Sequence, residues 1–309
     1  MNSIQNHEAR IREFINGTRK QSFLLKCFAS WNKLCSSLDL IGDTQLAIDS
    51  YPTFKNLNEH GECYLIVYGI LQTLLLQQDA ASHIADSLSI KVKRPKALEN
   101  IRKIRNNAAG HPSHQKENGQ ARSCFITRMS VKATSFRLMT VYSGDKEYKT
   151  EHIEIPALIE TQQKYLCEVL GKVVSELERQ EMEHREKHKN TKLANSFHPS
   201  ISYHFGKLFE AINNEDVHAL GAISLKMITD CLNSFKDELS LRGEWGIYDS
   251  VNYHYELIEY PVNRLESYFD NTNDVNEKDA YIYVSFLSEQ VNSLNEIANE
   301  LDDKYRSKP

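Results

Sequence analysis

The chain has 309 residues, 40% hydrophobic and 26% charged, with a formal net charge of -5. That length can bury one large core or two ordinary ones, and the negative balance excludes a global basic field, so any contact with RNA or DNA has to come from a local patch. The six cysteines, Cys27, Cys35, Cys63, Cys124, Cys167 and Cys231, form no Cys-x-x-Cys pair, which excludes a zinc knuckle or a dense disulfide framework and suits a reducing compartment.

The opening residues, MNSIQNHEARIREF, carry no apolar leader. Phe14, Ile15, Phe23, Leu24, Phe28 and Trp31 then predict a helix over 11–38. The most apolar stretch, YLIVYGILQTLLL at 64–76, is shorter than the roughly 20 apolar residues a bilayer span needs. It is expected as part of a buried helix over 62–78, in a cytoplasmic protein with no membrane partner. Pro95 suits the first turn of a third helix carrying Leu98, Ile101, Ile104 and Ala108, and Gly110 followed by Pro112 stops it.

The period changes after residue 122. RSCFITRMSVKATSFRLMTVYSGDKEYKTEHIEI predicts two or three antiparallel strands over 123–155, turning near 132–134 and 143–146. Pro156 opens the next helix, with Leu158, Gln162, Tyr165, Val169, Val173 and Leu177 on one face. The run ERQEMEHREKHKNTK reads as a solvated helix end or interdomain linker, and LANSFHPS reads as a boundary. Helices follow over 217–239 and 248–269. A last one places Val284, Leu287, Val291, Leu294, Ala298 and Leu301 on a seam too short for a free coiled coil. The expectation is a mainly α protein: an N-terminal helical domain over 1–190 with a small antiparallel β insert at about 121–155, and a second helical domain over 196–309.

One stretch stands apart, NIRKIRNNAAGHPSHQ at 100–115. With about 100° per residue and Leu98 as zero, Ile101, Ile104 and Ala108 fall at roughly 300°, 240° and 280°, and Arg105 falls at about 340°, between Leu98 and Ile101. Arg105 therefore sits on or beside the apolar stripe, where a guanidinium must be paired or face a groove. Lys103 and Asn107 point away from it. Asn106 and Asn107 are poor helix formers, and His111 sits where the chain turns. The bland alternative is an arginine complementing the helix dipole and a histidine in an exposed turn.

RNNAAGH resembles the signature of the HEPN superfamily (higher eukaryotes and prokaryotes nucleotide-binding): an arginine, a polar residue, then a histidine after four to six positions, at the end of a long helix. Arg105, Asn106 and His111 match in turn. The resemblance covers about the first 190 residues and implies a HEPN-like helical bundle there. It also implies a metal-independent endoribonuclease acting as a homodimer, with two motif helices building one composite site and no cofactor or metal. RNA brings its own nucleophile, the 2′-hydroxyl. On this reading His111 moves the proton, Arg105 holds the phosphate, and Asn106 orients one or the other. Arg102 and His114 are secondary candidates. Arg122, Arg128, Lys132 and Arg137 of the insert form a candidate cationic surface for the RNA backbone.

The resemblance further implies a toxin or antiviral defence role and admits an antitoxin or regulatory partner. Family members with a tyrosine two residues after the histidine are often paired with a nucleotidyltransferase antitoxin; Ser113 stands there, so that mechanism is not carried over. Other constellations are weaker. His111 and His114 lack a third metal ligand nearby. His184 and His188 lie one turn apart, but Arg185 replaces the glutamate of the zinc-protease pattern. Trp245, Tyr248, Tyr253, Tyr255 and Tyr260 suit core packing or a recognition surface. Two other functional classes remain, a non-catalytic RNA-, nucleotide- or protein-binding module and a helical scaffold or regulatory protein. A cleavage assay in EDTA separates both from the ribonuclease.

Overall fold

The stretch read as one N-terminal helix is three helices in the computed structural model, which describes residues 3–113, 115–117, 120–143, 148–270, 272 and 275–306. Helix α1 covers Ser3–Ile15, α2 Thr18–Leu25 and α3 Phe28–Ser50. Extended backbone at Gly17 (φ -60°, ψ 129°) and non-helical backbone at Cys27 (φ -121°, ψ 87°) make the two breaks, the first in an Asn-Gly pair that favours turns. Helix α4, His60–Ser87, outruns its expected end because Ala80, Ala81, Ile84 and Ala85 continue its buried face. Helix α5 is Lys96–Arg105.

The insert is a meander of four antiparallel strands in the order β1-β2-β3-β4: Gln115–Glu117, Gln120–Ile126, Ser135–Tyr142 and Tyr148–Glu154. The short β1 lies ahead of the expected insert. Strand β2 alternates as a half-buried strand should, with Arg122, Cys124 and Ile126 inward and Phe125 outward. The expected turn at 132–134 lies between β2 and β3; most of the one at 143–146 falls outside the described residues. Helix α6 follows as Ile155–His188.

The chain divides into two units, Met1–Arg179 and Gln180–Pro309. The division falls inside α6, ahead of the expected boundary at 190–196. The charged run there is the expected helix end, with the division between the units falling within it. Glu, Arg and Lys are good helix formers, and Arg185–Glu181 adds an ion pair one turn apart. Nor is it wholly solvated: His188 is buried, and His184 Nε2 lies 2.8 Å from the Tyr305 hydroxyl. Leu193 and Phe197 of LANSFHPS belong to the second core. Helices α7 (Ile201–Ile212), α8 (His218–Leu241), α9 (Asp249–Phe269) and α10 (Glu277–Arg306) complete the second unit. The α10 seam, Val284 to Leu301, packs within that core, as do Trp245, Tyr248 and Tyr255, while Tyr253 and Tyr260 are exposed. Among the described residues no helix is long and apolar enough to cross a membrane.

In the first unit α3 and α4 form the most extensive helix pair, and a buried chain of amides runs through it. Gln45 Nε2 donates to Asp49 Oδ1 at 2.8 Å, Gln77 Nε2 to Gln45 Oε1 at 3.2 Å, Gln162 Nε2 to Gln77 Oε1 at 3.1 Å, and Gln78 Nε2 to Gln162 Oε1 at 2.8 Å. Gln162 Nε2 also donates to the Leu74 carbonyl at 3.0 Å. A carboxylate and a carbonyl only accept, so these two anchors set the direction of every amide.

Gln162→Leu leaves the Gln78 amide, Gln77 Oε1 and the Leu74 carbonyl without their partner. At about 1–3 kcal/mol per orphaned buried group, denaturant unfolding should show a loss of at least about 3 kcal/mol; a loss below about 1 kcal/mol contradicts the relay. Tyr51, beside the end of α3, donates its hydroxyl to the Ala133 carbonyl at 3.0 Å, and burial pushes the phenol up from 10 to about 12. A raised phenol favours the folded state below the unfolded value and loses that contribution as pH climbs from 10 to about 12. Tyr51→Phe should cost about 1–2 kcal/mol at neutral pH and flatten that alkaline loss in a pH series of unfolding curves.

Candidate active site

Helix α5 is tied to α4 by a ladder of two arginines. Arg102 Nη1 donates to Asp79 Oδ1 at 2.5 Å, an ion pair. One turn later Arg105 reaches the same helix and meets an amide instead of an acid. Its Nε and Nη2 donate to Gln72 Oε1 at 3.2 and 2.7 Å, and its Nη1 donates to Asn106 Oδ1 at 3.1 Å. Gln72 and Asp79 stand two turns apart on one face of α4, as Arg102 and Arg105 stand one turn apart on α5. The half-buried Arg105 charge is thus held by neutral oxygens, and among the described residues no carboxylate pairs with it.

Beyond Arg105 the helix widens into a π turn over Asn106–Gly110, closed by the His111 N–H donating to the Asn106 carbonyl at 2.9 Å. The wider turn overturns the expectation for Asn107. Instead of pointing away from the core it is only 6% exposed, and its Oδ1 accepts from Arg122 Nη2 at 3.1 Å. Gly110 sits directly under the guanidinium. A Cβ there would stand 2.5 Å from Arg105 Nη1 and 3.3 Å from Asn106 Oδ1.

The chain leaving the turn is laid along β2. The Cys124 N–H donates to the Pro112 carbonyl at 2.6 Å, and Ser123 Oγ donates to the Ser113 carbonyl at 2.8 Å. Gln115 Nε2 donates to the His111 carbonyl at 2.8 Å, while its Oε1 accepts from Arg122 Nη2 at 2.6 Å. Backbone on both sides of His111 is therefore fixed, and its side chain is exposed.

Arg105 and Asn106 are thus hydrogen-bonded at the end of α5, and His111 follows the π turn with its backbone N–H on the Asn106 carbonyl. Arg102 is adjacent and neutralised. His114 lies outside the described residues. Arg122 is 9% exposed and braces Asn107 and Gln115, so it is a support of the loop and no part of an exposed cationic surface. Arg128, Lys132 and Arg137 are exposed and gather at the β2–β3 connection, where the Thr127 N–H donates to the Arg137 carbonyl at 2.9 Å. Sequence reasoning missed Gln72, Asp79 and Gln115; Gln72 and Asp79 interrupt or end the apolar run of α4, which is the one local signal they leave.

Taken chemically, this is a guanidinium that no carboxylate neutralises among the described residues, at the end of a helix that an exposed imidazole follows. A phosphodiester is the kind of group both can serve. Because Nη1 is the far end of a flexible side chain, Gly110→Ala should leave the fold stable to within about 1 kcal/mol while displacing the guanidinium; Gln72→Leu should release it from the other side. The Arg105 Nε–H resonance in nitrogen-edited NMR is expected to be narrow in the wild type and exchange-broadened in both variants, and an unchanged resonance would remove the proposed steric and hydrogen-bond hold. No family model, no curated protein and no solved structure matches the chain, so the functional reading rests on the residues and geometry of this site.

Proposed function

We propose that the chain is a metal-independent endoribonuclease of the HEPN type. Arg105 binds the scissile phosphate, His111 transfers the proton and Asn106 orients the phosphate or the imidazole. The 2′-hydroxyl attacks the phosphorus, the 5′-oxygen leaves, and the strand ends in a 2′,3′-cyclic phosphate or its 3′-phosphate hydrolysis product. The observation that carries this reading is the contrast one turn apart on α5: Arg102 is neutralised by Asp79, while Arg105 is held by Gln72 and Asn106 with its charge intact. Neutral anchors aim a guanidinium without satisfying it electrostatically, which is what a phosphate site requires.

The face of α4 that presents Gln72 supports the expected partners. Leu65, Tyr68 and Gln72 share that face, and Leu65 and Tyr68 are 74% and 41% exposed. A second copy of the chain covering this apolar stripe would bring two motif ends together in one composite site. Arg128 stands close enough to Tyr64 to oppose the upward push that burial gives its phenol. With Lys132 and Arg137 it offers RNA a cationic approach to the same face. A toxin or defence role in the cytoplasm, with or without a regulatory partner, is the biological setting of this reading.

The test is cleavage of RNA in EDTA by the wild type, His111→Ala and Arg105→Ala. General acid–base help is worth about 100- to 10,000-fold, so each variant should lose at least about 100-fold with little change in thermal midpoint, and the wild-type product should carry a cyclic phosphate. Equal cleavage by the variants, or no cleavage by wild type over a range of RNAs, would falsify the assignment.

A further inference from the structure

The first unit holds a cavity of about 770 Å³ that takes no part in the site at the end of α5. Its volume is in the range of small-molecule sites. Ala81 and Ala85 of α4, Leu98 of α5, and Leu166 and Val169 of α6 make an apolar wall. Across the mouth runs the segment 88–95, LSIKVKRP, which brings Lys91, Lys93 and Arg94 to one edge.

Four observations bear on what this cavity takes. The first is charge. Lys91, Lys93 and Arg94 have no ion-pair partner among the described residues; Arg94 Nη2 donates to the neutral Ser82 Oγ at 2.9 Å. Asp86 is the acid at the mouth, so the rim has an excess of two positive charges in a chain whose net charge is -5. The second is hydrogen bonding. Gln78 lines the cavity, and the relay from Asp49 commits its Nε2 to Gln162 and leaves its buried Oε1 with no protein donor. The polarity of that relay is forced at both anchors, so the orphan has to be an acceptor.

The third is backbone conformation. Helix α4 ends in a Schellman turn, with the Ile90 N–H on the Ala85 carbonyl at 2.8 Å and the Ser89 N–H on the Asp86 carbonyl at 3.0 Å. The left-handed residue of that turn is Ser89, at φ 57°, where glycine would be the unstrained choice. Ser89 lines the cavity, and strain of this kind gathers at ligand clamps. The fourth is composition: an apolar wall from three helices is combined with polar and charged groups, chiefly from the end of α4 and the segment that follows it, as in a small-molecule site that takes a polar head group.

We propose that this cavity binds a small organic anion. Its carboxylate or phosphate is held by Lys91, Lys93 and Arg94, its body lies on the Ala81–Ala85–Leu98–Leu166–Val169 wall, and an N–H or O–H of the ligand meets Gln78 Oε1. The proposal is independent of the ribonuclease reading and stands or falls without it.

The experiment uses the full chain in thermal-shift and calorimetric titrations with two arms. The carboxylate arm is indole-3-acetate and 4-hydroxyphenylacetate, and the phosphate arm is a set of nucleoside 5′-monophosphates; inorganic phosphate and neutral indole are the comparison. At least one organic anion should raise the midpoint by about 5 °C at a concentration about 100-fold above its Kd, and the responding arm identifies the head group. The exposed double variant Lys91→Glu, Lys93→Glu should weaken that binding at least 10-fold, and Gln78→Leu should weaken it about 5-fold or more. His111→Ala should leave it unchanged. The proposal is overturned if neither arm shifts the midpoint, if inorganic phosphate binds as well as the organic anions, if the charge-reversed protein binds as the wild type does, or if binding is lost with His111. Should Gln78→Leu fail to fold, the surface double variant still decides.

Discussion

The first unit is organised around one carboxylate, that of Asp49. A carboxylate can only accept, so it turns the Gln45 amide toward itself, and the orientation passes to Gln77, Gln162 and Gln78 in turn. Buried amides without partners are costly, and here every amide is joined to the next, with only the terminal Gln78 Oε1 left over. The relay locks α3, α4 and α6 in a single register. Helix α4 then presents Gln72 to Arg105, Asp79 to Arg102 and Gln78 to the cavity. Gln72 and Asp79 leave one face of the cylinder and Gln78 leaves another, and a small rotation of α4 would disturb all three together.

The strand insert has a comparable bracing role. The chain that leaves α5 would otherwise be a polar loop with free backbone groups, which is costly at a half-buried position. Strand β2 supplies the missing partners through Cys124 and Ser123, and Arg122 reaches under the loop to Asn107 and Gln115. A positive charge placed there braces two amides from below, so the electrostatics at the helix end come from Arg105 above and Arg122 beneath, with only the former half open to solvent.

Much of the fold was legible in the sequence because it follows from local rules. Apolar spacing marked α4, α5 and α10; Pro95, Gly110 and Pro112 framed the motif; alternation marked β2 and β3. The same spacing put Arg105 on the inner edge of α5, and it was the resemblance to the HEPN signature that singled out Arg105, Asn106 and His111 as a group. What stayed hidden depends on tertiary partners. No periodicity announces that Gln72 waits for Arg105, that Asn107 turns inward, or that Arg122 is buried. A charged stretch reads as solvent-facing whether or not a core lies against one side of it, and so the burial of His188 was missed. The break at Cys27 left no mark of its own, since cysteine carries no turn preference comparable to that of Gly17.

The π turn at Asn106–Gly110 bears on how such a motif tolerates change in length. An α turn closes on the fourth residue back and a π turn on the fifth, so the wider turn absorbs one residue without moving the elements on either side. The segment between an arginine and a following histidine then behaves as an elastic spacer, whose slack is taken up by the kind of turn it adopts. Counting intervening residues is a poor ruler there, because in this chain the turn closes through the His111 N–H on the carbonyl of Asn106, the neighbour of Arg105.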